Sequence, residues 1–187
     1  MRLAATLLII AGACSAPQRR GLTREDAMRV AVDMAHLPAW YEAIVAGAEP
    51  LRQHGGVWIS FVPTYAEHDV TIRRGYANNC VWAGIYYEYD RTIYLDPRCL
   101  HGATQVVSIS AHELGHAAGA MHVCPSAKRT RSPGECVGSS STALMLHNLP
   151  YEDDGCDPAS RACIDAALQR ITWTSCDTVA LRRRLRR

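Results

Sequence analysis

The chain has 187 residues, 48% of them hydrophobic and 20% charged, with a formal charge of +2. That length suits one domain with a genuine hydrophobic core. The four Trp and eight Tyr argue against a disordered chain, and the near-neutral balance argues against a dedicated nucleic-acid binder. Eight cysteines is a high count. It points to metal sites in a cytosolic protein and to disulfides in an exported one.

Met1-Arg2 gives a short positive start, and Leu3 to Ala11 is uncharged and runs into the small residues Gly12-Ala13. Residues 1–13 therefore read as a secretory signal peptide, too short to span a bilayer. The segment before Cys14 resembles a bacterial lipoprotein signal, with Cys14 as the lipidated residue. Ordinary cleavage at the same place is the alternative and leaves Cys14 for a disulfide. Both export the protein, either to a membrane-anchored position on the cell envelope or to the medium.

Residues 14–22, with Pro17, read as a tether. Thr23 can cap a helix from Arg24, because Glu25 and Asp26 stand in its first turn and Ala27, Val30, Ala31 and Met34 follow at helical spacing. Pro38 interrupts the pattern, and a second helical stretch runs to about Arg52 before Gly55-Gly56 ends it. Four strands follow: Val57 to Val62, Asp69 to Arg73, one within Cys80 to Tyr89, and Thr92 to Leu95. Ala103 to Ala118 is helical, Cys124 to Ser141 is a polar loop, and Ala159 to Ile171 is a final helix. This order predicts an α+β fold, with the domain over 23–181. The basic tail 182–187 carries five arginines. It is either solvated or in contact with anionic lipid.

The chemistry concentrates in His112-Glu113-Leu114-Gly115-His116-Ala117-Ala118-Gly119-Ala120-Met121-His122, which fits H-E-x-x-H-x-x-G-x-x-H. His112 and His116, four apart on a helix, share one face and can hold one metal. Glu113 can reach a water on that metal without being a ligand. Gly119 lets the chain leave the helix abruptly, because glycine takes positive φ cheaply, and His122 returns as the third ligand. Three imidazoles leave the fourth position of a tetrahedral Zn²⁺ open, as in catalytic sites. His36, His54, His68 and His101 have no metal spacing and read as surface or packing residues.

This motif resembles that of the metzincin zinc metallopeptidases, whose signature adds a methionine turn beneath the metal. Thr142-Ala143-Leu144-Met145 supplies it, with Met145 as the turn methionine, and its wording is similar to matrixins. Asp69-Val70-Thr71-Ile72 also resembles the strand before their active-site region. The resemblance covers about Val57 to Ile171. It implies a mixed twisted sheet with an active-site helix and a C-terminal helix. It further implies a zinc-dependent endopeptidase in which water activated by Glu113 attacks a peptide bond, with the substrate extended along an edge strand within Cys80 to Leu95. The chain departs from matrixins in placing Leu146 and His147 after the methionine. His147 either polarises a substrate carbonyl or lies at the surface.

The expected partner is a protein or peptide substrate and the expected state a monomer, with membrane attachment only through lipidated Cys14. Two other functions stay open: a non-catalytic surface lipoprotein that uses the fold for binding, and a zinc amidase acting on cell-wall peptides. Since three histidines suffice for the metal, Cys80, Cys99, Cys124, Cys136, Cys156, Cys163 and Cys176 are disulfide candidates. The suggested pairs are Cys80–Cys99 on the sheet and Cys124–Cys136 in the loop after His122.

Overall fold

Met28–Val32 is a β-strand, β1, and not part of the helix that its apolar spacing suggests. Parallel neighbours on both sides explain the difference. β1 pairs with β2 (Ile59–Val62) and with β3 (Val70–Arg74). A parallel strand covered on both faces carries a continuous apolar run instead of alternation. Accordingly Val30, Ala31 and Val32 are all buried. The structure, a computed structural model, describes residues 27–76, 80, 82–124, 136–139, 145, 153–174, 176–177 and 181, with backbone only at 124 and 136–139. The signal-peptide, tether and basic-tail assignments, Cys14 and His147 all fall outside them.

The second expected helix is broken into pieces. A 3₁₀ turn, Pro38–Trp40, leads into α1 (Tyr41–Gly47), and a separate wide turn spans Leu51–Gly55. Gly56 ends this region as expected, with φ 67°. The sheet is completed by β4 (Gly84–Tyr87) and β5 (Thr92–Leu95), in the order β2-β1-β3-β5-β4. Four strands are parallel, and only the edge strand β4 runs antiparallel to its neighbour. The sheet thus has five strands, one more than expected, because β1 joins it.

Val30, Val32, Ile59, Val70, Ile72, Ile93 and Leu95 form one core with Ile44 of α1 and with Val106, Val107 and Leu114 of α2 (Ala103–Ala117). Burial of each such side chain contributes roughly 1.5–3 kcal/mol. α3 (Arg161–Arg170) packs on α2 in turn. Part of the expected loop after His122 is strand: β6 (His122–Cys124) and β7 (Cys136–Ser139) pair in parallel. The molecule is therefore a mixed sheet with three helices, in keeping with α+β. No helix among the described residues is long and apolar enough to cross a membrane.

α2 lacks a side-chain cap at its own N-cap residue, Gly102. Asp154 supplies one from 50 residues away: its carboxylate accepts the N–H and the hydroxyl of Thr104. Cys156 O accepts the Ala103 N–H at 2.8 Å. The disulfide Cys156–Cys163 clips this loop to α3. The start of the histidine-bearing helix is thereby fixed.

Candidate metal centre

His112 and His116 lie one turn apart on α2, and His122 opens β6. Between them the chain reverses through Gly119, whose φ is 90°. The Ala120 N–H bonds to Gly115 O and the Gly119 N–H to His116 O, both at 2.8 Å. That pair of bonds is a Schellman ending, which needs a left-handed residue at this point. A side chain with a Cβ would be strained there, so the expectation for Gly119 is met.

The turn brings the three imidazoles together. His116 Nε2 lies 3.0 Å from His112 Nε2 and 3.1 Å from His122 Nε2. His116 Nδ1 is 3.0 Å from Ala120 O. A carbonyl can only accept, so Nδ1 carries the proton and Nε2 presents a bare lone pair. Three ring nitrogens converging on one point fit a shared cation. Tetrahedral Zn²⁺ with bonds of about 2.0–2.1 Å would space its donors by roughly 3.3 Å, close to what is found. Among the described residues no other group of histidines, cysteines or acids is assembled in this way.

Glu113 stands beside this group, 5% exposed. Burial pushes its carboxyl up to about 7, and a hydrogen bond from the Tyr86 backbone N–H acts in the opposite direction. One carboxylate oxygen, Oε2, has no protein partner. A buried carboxylate oxygen left unpaired is costly, and such an atom beside three converging imidazoles marks a place for a cation or water. The Tyr86 contact follows from the register. Asp96 N–H bonds Ala83 O at 3.0 Å. With Ile85 opposite Tyr94 and Tyr86 opposite Ile93, the ladder bonds of β4 alternate, so the backbone groups of Gly84 and Tyr86 face away from β5. Edge strand β4 thus aims a donor at Glu113. Gly84 allows this approach, since a Cβ there would lie 2.4 Å from Ile109 Cγ2 and 3.2 Å from Glu113 Cγ.

Met145 lies against the same helix and is fully buried. A Cβ at Gly115 would come within 2.6 Å of its sulphur. Its carbonyl accepts the Val123 N–H at 2.6 Å, and its N–H donates to Asp177 Oδ1 at 2.8 Å. The expected methionine is therefore in contact with the histidine helix. An open cavity of about 690 Å³ borders His116 and reaches Tyr86, Glu88, Arg91 and Asp69.

The other histidines stay apart from the cluster. His36 pairs with Asp33, His54 stacks on Trp173, His68 bonds Ala66 O and Thr71, and His101 is exposed. The suggested disulfide Cys80–Cys99 is formed. Cys156–Cys163 is a second pair. Cys176 is buried and disulfide-bonded. The side chains of Cys124 and Cys136 lie outside the described residues. Tyr86, Asp154 and Asp177 are absent from the motif reading. Tyr86 acts through its backbone, and neither aspartate stands near the histidines in sequence.

No protein-family model matches the chain, and no curated protein matches it. The functional reading accordingly rests on the residues and their geometry.

Proposed function

We propose that this protein is a zinc-dependent endopeptidase of metzincin, matrixin-like type, acting outside the cytoplasm. The observation that carries the reading is the convergence of His112, His116 and His122 beside the buried, half-unpaired carboxylate of Glu113. A Zn²⁺ held by the three imidazoles supplies Lewis-acid polarisation of a carbonyl and lowers the pKa of water. Glu113 takes the proton of the attacking water and hands it to the leaving amine. Tyr86 N–H holds that carboxylate in one orientation throughout. The extended substrate adds to the outward edge of β4, where the backbone groups of Gly84 and the carbonyl of Tyr86 face away from β5. The disulfides support an oxidising compartment. A role confined to binding has no use for the unpartnered Glu113 oxygen.

The test is to assay zinc content and peptide-library cleavage for the wild type and Glu113→Ala, each with and without chelator. The reading expects one zinc per chain and chelator-sensitive cleavage that disappears in the variant. Equal cleavage by the variant overturns the role of Glu113. Zinc binding without cleavage of any peptide favours the binding role, and cleavage confined to cell-wall peptides favours the amidase.

A further inference from the structure

We propose that Asp177 is a positioning residue for the metal centre, acting on His122 through Met145. This rests on His112, His116 and His122 being metal ligands. Asp177 is fully buried. Its Oδ2 accepts the backbone N–H of Thr174 at 2.7 Å and the Thr174 hydroxyl at 2.8 Å. Its Oδ1 accepts the N–H of Met145 at 2.8 Å. Three donors on one buried carboxylate fix it firmly, since hydrogen bonds to a charged acceptor are stronger than neutral ones. The adjacent Cys176 is disulfide-bonded, which anchors the backbone on which Asp177 stands.

The chain of contacts continues to the ligands. Met145 O holds Val123 N–H at 2.6 Å, and Val123 follows His122 directly in β6. The Met145 sulphur meanwhile packs on the α2 backbone at Gly115, next to His116. Asp177 thus fixes one residue that touches both ligand-bearing segments, the helix of His112 and His116 and the strand of His122. Besides the imidazoles themselves, the turn at Gly119 and Met145 link these segments. Losing the carboxylate releases Met145, and the third imidazole loses its fixed position relative to the other two. Outer-shell partners that orient ligands typically alter metal affinity about ten- to hundredfold.

The experiment compares the wild type, Asp177→Asn and Ile44→Val, a core change on α1. Zinc affinity is measured by competition with a chromophoric chelator, and Co²⁺ absorption reports ligand geometry. Amide exchange at Met145 and Val123 is followed in the metal-free protein. Asp177→Asn should weaken zinc binding by about tenfold or more, alter the Co²⁺ spectrum and speed exchange at both amides. Ile44→Val should lower the melting temperature without these changes. Unchanged zinc affinity in folded Asp177→Asn, or a loss matched by Ile44→Val, overturns the proposal while leaving the metal reading intact. A wild type that binds no metal overturns both. Should Asp177→Asn fail to fold, Thr174→Val removes a donor from the same carboxylate. A smaller loss of zinc affinity then supports the proposal, and an unchanged affinity overturns it.

Discussion

Gly115 and Met145 approach so closely that a Cβ on residue 115 would lie 2.6 Å from the Met145 sulphur. Met145 is fully buried, so the sulphur has little room to retreat. Gly115→Ala should cost about 1–3 kcal/mol, the usual range for overpacking. The double variant with Met145→Ala should recover part of that loss, because the two residues share one contact. Chemical denaturation of the four proteins checks this. Strictly additive losses would show that the contact does not matter.

Metal binding should stabilise the fold measurably. The ligands come from a helix and a strand joined by a sharp turn, and the unfolded chain does not hold them together. At free zinc a hundredfold above the dissociation constant, about 2.7 kcal/mol is gained. Thermal melts across a zinc titration should rise for the wild type and stay flat for His122→Ala. Equal shifts in both would place the binding elsewhere.

The cap that Asp154 gives α2 should make the fold acid-sensitive in a defined window. Burial raises this carboxyl, but bonds from the Thr104 hydroxyl and from the N–H groups of Cys156 and Thr104, together with Arg170, bring it below its ordinary 3.8. A lowered folded value means that the stabilisation is complete above the ordinary value and is lost as pH falls through the folded one. Asp154→Asn, which keeps an acceptor oxygen but removes the charge, should cost about 0.3–1 kcal/mol at neutral pH, as for a carboxylate lost from a helix N-terminus. The gap to the wild type should close below about pH 4. Urea melts at several pH values measure it, and a gap that widens in acid would contradict the sign.

The disulfide Cys80–Cys99 closes the open end of the β4–β5 hairpin across 19 residues. Replacing both cysteines by serine should cost about 3 kcal/mol from the freed loop. It should also loosen β4, whose Tyr86 N–H holds Glu113. We expect peptide cleavage to fall more than zinc affinity, because the ligands are on α2 and β6. A proportional fall in both would mean that β4 does not serve Glu113 separately.

The three-histidine group that could hold a metal was legible in the sequence because its arrangement is local. Residues four apart share a helix face, and one glycine reverses the chain to bring in His122, so eleven consecutive residues define the group. β2, β3, β5 and the two later helices were legible for the same reason: their patterns match their own periods. β1 was not, because Val30, Ala31 and Met34 satisfy helical spacing. Pairing with Ile59–Val62 and Val70–Arg74, distant in sequence, decides for strand.

Tertiary structure alone decided what surrounds the three histidines. Tyr86 presents a backbone donor that any residue would carry, aimed at Glu113 only by the register of an antiparallel edge. Asp154 and Asp177 reach their partners 50 and 32 positions away, and an isolated aspartate carries no local signal of such a bond. The cysteine count marked covalent cross-links and the sequence suggested Cys80–Cys99, but only proximity in the fold picked out Cys156–Cys163. The sequence by itself determined which side chains can bind a metal, because a helix and a turn suffice for that. Their orientation, burial and the unpartnered oxygen of Glu113 depend on long-range packing, which no local pattern encodes.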